Sequence, residues 1–327
     1  MSDDTVEVPE ARTVVDGVDV LGSLSPSRAG DFMACPLLFR FRTVDHLPEP
    51  SSPDAVRGTV VHKVLENLFD LPAAERTPAR AAELVAPAWE QLLEAEPEIA
   101  AMFGAEDGQA TEGPARSEGL DGSDGSGGSD GPEDRLGPAL GSWLESCRRS
   151  LAGYFALEDP TRLEPAEREL YVETLLDSKL LLRGFVDRID VAPSGDIRVV
   201  DYKTGRAPAE GFEAKALFQM KFYALVIWRT RGVIPRVLQL VYLGSGELLR
   251  YSPDEQDLLA TERKVEALWK AIVTARETGD WRPRKSPLCG WCAHRSLCPE
   301  WGGTPPPLPE AGPRQPEAGA EAPLETR

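Results

Sequence analysis

Four short stretches of this chain carry residue types that suit metal-assisted chemistry on a phosphodiester. They are Gly58-x-x-x-His62, Gly184-Phe185-Val186-Asp187, Asp201-Tyr202-Lys203 and Gln219-x-x-x-Tyr223. Asp187 and Asp201 each stand at or near the end of an apolar strand. The turn Pro193-Ser194-Gly195-Asp196 joins those strands, so the two carboxylates are expected close together. Carboxylates that close repel unless a cation lies between them. Oxygen donors of this kind suit Mg2+ or Mn2+. Lys203 lies two residues beyond Asp201 and so projects from the same strand face. Its ammonium can orient or deprotonate an attacking water and balance phosphate charge. His62, on a helix, can complete the cation's shell with imidazole. Each residue alone has a plainer role, the histidine as a structural or surface residue and the aspartates and lysine as a solvated strand edge. Their joint occurrence in this order points to one site.

Gln219 and Tyr223 lie four apart and share a face of an otherwise apolar helix. They are candidates to contact a nucleic-acid backbone or to brace Lys203; the plainer reading makes Tyr223 core and Gln219 surface. This run of motifs resembles the RecB-family branch of the PD-(D/E)XK nucleases. Those proteins build their site from a helix histidine, a G-[FI]-[VI]-D aspartate, a D-x-K pair and a Q-x-x-x-Y helix. The residues that match are His62, Asp187, Asp201, Lys203, Gln219 and Tyr223, and the likeness covers roughly residues 21–301 outside an internal insert. It implies a restriction-endonuclease-like α/β fold, a mixed sheet flanked by helices, and Mg2+- or Mn2+-dependent DNA hydrolysis. His62, Asp187 and Asp201 would hold the ion and Lys203 would act on the water. Glu169, on the preceding strand, is an acid with no assigned role.

The five cysteines are an odd count, which favours ligation or catalysis over a disulfide framework. Cys289-x2-Cys292-x5-Cys298 has ligand spacing, and Cys35, just before a proline far upstream, is the natural fourth ligand. Zinc favours two CxxC pairs, whereas here one pair is joined by a single and a remote cysteine. The pattern resembles the iron–sulfur staple of AddB-type and CRISPR-associated RecB-like exonucleases, so a 4Fe–4S cluster is favoured over zinc. Such a cluster would staple the N-terminal helical region to the C-terminus. His294 is a minor alternative ligand, and Cys147 reads as a structural or partly exposed thiol. Trp281, Arg282, Arg284, Lys285, Trp291 and Arg295 surround the cysteines. Basic and aromatic residues together suit single-stranded DNA, although the tryptophans could equally shield the cluster.

The elements that must position these groups are legible in outline. Ser25-Pro26 reads as a helix start, and helices are expected from about 55 to 69, over 79–95, and from 138 to 156. Strands are expected at 167–175, 179–191, 197–202 and 237–242, with helices at 212–228 and 255–278. The domain reading is a disordered lead (1–20), an N-terminal helical part (21–103), a disordered acidic insert (104–137), the nuclease core with its cysteines (138–301) and a disordered tail (302–327).

The formal net charge of −18 argues against nucleic acid only at first sight. Segments 1–20, 104–137 and 300–327 carry −5, −7 and −3, so they hold −15 of it. The remaining body is near neutral and can still present a local basic groove. No apolar run approaches a membrane span, no signal peptide is visible, and the expected location is the cytoplasm. No G-x-x-x-x-G-K-[ST] phosphate loop is present, so any unwinding would need a helicase or repair partner. The sequence expectation is a DNA exonuclease acting from single-stranded ends in repair or recombination. A CRISPR-adaptation-type nuclease, a non-catalytic DNA-end-binding subunit and a zinc-ribbon regulator are the alternatives.

Overall fold

The structure, a computed structural model, describes residues 14–15, 18–103, 138–209 and 213–309. The expected acidic insert therefore lies outside the described residues, as does most of the expected lead and tail. Within the lead, β1 (Val14–Val15) and β2 (Val18–Asp19) pair antiparallel.

The chain then enters β3 (Gly22–Leu24) and α1 (Pro26–Ala34). Ser25 caps α1, its Oγ accepting the Arg28 N–H at 3.3 Å, and Pro26 suits the first turn. Pro36 disfavours helical backbone at the residue before it, and Cys35 is extended there (φ −161°, ψ 114°). A short helix α2 (Pro36–Phe39) and a π turn over 40–44 follow. The long helix α3 (Pro53–Leu68) buries Val56, Val60, Val61, Val64, Leu65 and Leu68 together with His62. The single helix expected over 79–95 is two, α4 (Pro78–Glu83) and α5 (Val85–Ala95). Pro87 has no N–H and its ring would press on the carbonyl of Glu83, so the helix restarts just ahead of it.

After α6 (Pro138–Leu157) come β4 (Glu167–Leu175), β5 (Leu180–Val191), β6 (Ile197–Lys203), α7 (Ala214–Arg231), β7 (Val237–Tyr242), β8 (Glu247–Tyr251) and α8 (Glu255–Thr278). The strand order is β3-β5-β6-β7-β8, with β4 also on β5. β3/β5 and β6/β7 are parallel and the other pairs antiparallel, which makes the sheet mixed. Strands β3 and β8 were not foreseen. Each is a short edge strand, too brief to show a clear alternation.

Helices cover both faces. On one face α1, α2, α7 and α8 enclose a core with Leu180, Leu182, Val186, Val199 and Leu240. On the other, α3 to α6 pack on Val200, Tyr202, Val241 and Leu243. α7 lies between the sheet and α8, so Met220, Phe222, Ala224, Leu225, Val226 and Ile227 are all fully buried. Its sequence is accordingly apolar almost all round. Among the described residues no helix is long and apolar enough to cross a membrane.

Candidate active site

The site forms where β5 loses a neighbour. β4 runs along one edge of β5, while β3 pairs with 180–182 and β6 with 188–191 on the other edge. Residues 183–187 face the gap between β3 and β6. Alternation also breaks here, since Val186 and Ile189, of opposite parity, bury in the same core. Across from Asp187, Glu169 takes φ +42°, and the β4–β5 pairing skips that one pair. A left-handed backbone on a non-glycine residue costs roughly 1–3 kcal/mol and gathers at functional sites. Arg168 holds the kink from outside, donating to the Glu66 carbonyl and, at 2.6 Å, to Asp70 at the end of α3.

His62 reaches this opening from α3. Its Nε2 lies 3.0 Å from the Tyr202 carbonyl oxygen. A carbonyl only accepts, so Nε2 carries a hydrogen, and in the neutral ring Nδ1 presents its lone pair. Nδ1 faces Asp187 Oδ2 at 3.4 Å and Glu169 Oε1 at 3.9 Å. These three side chains offer donor atoms that all lie within 4.8 Å of one another. Acceptors facing each other so closely need a proton or a cation among them. An imidazole and two carboxylates fit a hard divalent ion, with Glu169 beside the expected His62 and Asp187. The signal for Glu169 lay in the sequence as an acid on the preceding strand; its opposition to Asp187 needed the register.

Asp201 and Lys203 lie beside this group on β6. Lys203 Nζ is 2.8 Å from Asp201 Oδ2 and donates to Gln219 Oε1 at 3.0 Å. Gln219 Nε2 donates in turn to Asp201 Oδ1 at 3.0 Å and lies 3.4 Å from the Tyr223 hydroxyl. Gln219 thus braces the lysine, and Tyr223 is both core and partner, 3% exposed. Burial pushes the Asp201 carboxyl up from its usual range, and the Lys203 ammonium opposes that rise. Asp201 is absent from the three-residue donor group; its carboxylate is engaged by Lys203 and Gln219. The Tyr202 N–H donates to Asp187 Oδ2 at 2.8 Å, tying the two strands together at the site. Gly184 is required by closeness: a Cβ there would stand 2.8 Å from Tyr223 Cε1.

The cysteines form a second centre. Cys35, Cys289, Cys292 and Cys298 line one cavity, with Leu37, Phe41, Leu288 and Trp301 in its wall. The Arg284 N–H points to Cys35 Sγ and the Ser286 N–H to Cys289 Sγ, both at 3.4 Å. Among the described residues no three cysteine sulfurs lie within 4.8 Å of one another. Four thiols around one cavity are the donor set that either a four-cysteine zinc site or a 4Fe–4S cluster requires. His294 turns instead to Glu49, its Nε2 2.7 Å from Oε1. Cys147 is fully buried in the other core, its thiol pushed up to about 12 by burial. Trp281 is buried and stacked on Phe39 at 6.0 Å, so it offers no open face. Trp291 is 87% exposed, and Arg295 lies 3.8 Å over the exposed Trp301.

This fold and site define a helix-flanked mixed sheet with an acid, histidine and lysine cluster at a strand opening. A model of the PD-(D/E)XK nuclease superfamily matches residues 23–299, and the chain belongs to that superfamily. Two curated relatives are the "Gene 69 protein" of Mycobacterium phage L5, 29% identical over 121 residues, and that of Mycobacterium phage D29, 43% identical over 65 residues. The alignments cover 36% and 20% of this chain, and 39% and 21% of those proteins. Among solved structures, "Putative exonuclease" from Eubacterium rectale aligns over 83% of this chain and 87% of its own, at 12% identity and a TM-score of 0.48.

Proposed function

We propose that this protein is a Mg2+- or Mn2+-dependent deoxyribonuclease that digests DNA from single-stranded ends. The observation that carries the reading is the convergence of His62 Nδ1 on Asp187 and Glu169, beside the Lys203–Gln219–Asp201 cluster. His62, Asp187, Glu169 and Asp201 would hold the cation. When bound, it polarises a phosphoryl oxygen and lowers the pKa of water. The protein's own groups do the rest. The Tyr202 carbonyl fixes the imidazole tautomer, and Gln219 aims the Lys203 ammonium. Lys203 then positions the attacking water and offsets charge that develops on the phosphate. Asp201 holds that ammonium close.

The four cysteines would hold a 4Fe–4S cluster that ties α1 to the C-terminal segment, with zinc the poorer fit. Such a tie closes a loop of more than 250 residues and stabilises the fold through chain entropy. Single-strand preference draws support from Trp291, whose open face lies in a segment that also carries Arg284, Lys285 and Arg295, a mixture that suits bases and phosphates together. A helicase or repair partner would supply unwinding.

The test is digestion of end-labelled single and double strands, with ends open or blocked, in Mg2+ and Mn2+. Wild type is expected to release nucleotides from open single-stranded ends and to stop with EDTA. Lys203→Ala is expected to fold and lose cleavage. Full activity in Lys203→Ala, or an inert wild type in both metals, refutes the proposal.

A further inference from the structure

Behind the strand opening lies a buried polar network that the proposed chemistry does not use. Arg188 follows Asp187, and its side chain is 1% exposed. It donates to both Glu158 oxygens, at 2.8 and 3.0 Å, and to the Tyr202 hydroxyl at 2.6 Å. It also pairs with Asp190 at 3.1 Å. Gln239, fully buried on β7, donates to Glu158 Oε1 at 2.8 Å and accepts from Arg250 on β8 at 2.8 Å. The network therefore links α6, β5, β6, β7 and β8. Burying an arginine this deeply is costly unless its donors are satisfied, and here they are.

Tyr202 is the point where this network meets the site. Its side chain lies on the face opposite Asp201 and Lys203 and is held by Arg188. Its peptide lies in the site: the N–H donates to Asp187 and the carbonyl accepts from His62. One residue thus contacts two proposed ion ligands through its backbone, while its side chain is fixed from behind. Hydrogen bonds that orient the ligands of a metal set its affinity.

We infer that Arg188 and the Tyr202 hydroxyl form a positioning lock that sets the affinity of the site for its divalent cation by fixing the Tyr202 peptide between Asp187 and His62. This rests on the proposed metal-dependent reading. Arg188 and the Tyr202 hydroxyl touch neither substrate nor ion; both act through the peptide. Loss of the lock weakens ion binding and leaves turnover at saturating ion nearly intact.

The experiment titrates Mn2+ into the protein and follows the free-ion signal by electron paramagnetic resonance, alongside single-strand cleavage at rising Mn2+. Tyr202→Phe removes one hydroxyl and leaves Arg188 its carboxylate partners. It is expected to weaken Mn2+ binding on the order of 10-fold. Its cleavage rate should return to within about threefold of wild type once Mn2+ saturates. Arg188→Met should weaken binding further, and Arg188→Lys should fall between. Val241→Ala thins the same core beside Tyr202 without removing a hydrogen bond, and should leave Mn2+ affinity unchanged. Equal Mn2+ affinity in wild type and Tyr202→Phe overturns the lock while leaving the nuclease reading intact. A weakening as large in Val241→Ala also overturns it, because packing alone would then explain the effect. A wild type that binds no Mn2+ overturns both.

Discussion

Gly184→Ala is a small change with a consequence that the structure makes calculable. An added Cβ would stand 2.8 Å from Tyr223 Cε1 and 3.4 Å from Pro26 Cδ. Ordinary carbon contacts begin near 3.5 Å, so the Tyr223 ring must retreat by roughly 0.7 Å. Tyr223 is 3% exposed on a helix whose next four residues are fully buried, and it has little room to do so. Overpacking of this kind costs about 1–3 kcal/mol. We expect about 2 kcal/mol, read as a lower urea midpoint at unchanged slope. The displacement also moves the Tyr223 hydroxyl, 3.4 Å from Gln219, and through Gln219 the lysine. Misplacement approaching 1 Å can cost on the order of 100-fold in rate, so single-turnover cleavage should fall by about 10-fold or more. Tyr223→Leu removes the ring atom that is struck. The alanine should therefore cost much less in the Tyr223→Leu background, a coupling of at least about 1 kcal/mol in a double-mutant cycle. A Gly184→Ala protein as stable and active as wild type, or costs that simply add, refutes the steric argument.

Three further outcomes are expected. Cys35→Ser should reduce metal in the anaerobically purified protein as severely as Cys289→Ser, measured by elemental analysis and visible absorption; wild-type iron content in Cys35→Ser would remove it from the ligand set. Burial tends to raise the Glu158 carboxyl, but Arg188, Gln239 and Arg198 hold it below its ordinary 4.5. A depressed carboxyl contributes stability that is present above its unfolded value and lost as pH falls through the folded one. Urea unfolding from pH 6 to 3 should thus show wild type losing stability below about pH 4.5 more steeply than Glu158→Gln, and identical pH slopes would contradict it. Cys147, fully buried with its thiol near 12, should resist alkylation until the protein unfolds; rapid labelling of Cys147 in the native state would show the core more open than described.

The long elements were legible because their periodicity is strong: β4, β7 and α8 coincide with their expected bounds. The pairing of Asp201 with Lys203 followed from their spacing on one strand face. The break at Leu84 was signalled by Pro87, yet the apolar pattern runs through it and hides the interruption. Glu169 was visible as an acid and nothing more. Its nearness to Asp187 depends on strand register and a single left-handed residue, neither of which a local pattern encodes. Arg188 and Glu158 belong to none of the motifs found in the sequence. Only tertiary packing buries them together, since they are far apart in sequence and each satisfies the other. Trp281 and Trp291 looked alike in sequence and differ completely in exposure, because Phe39 covers one of them.

The most direct measurement is the anomalous difference map of a crystal grown or soaked with Mn2+. A strong manganese peak is expected, bounded by His62, Asp187, Glu169 and Asp201 with Lys203 alongside, and lost in Asp187→Ala. Manganese bound elsewhere, or an empty density at that cluster with the ion in large excess, would contradict it.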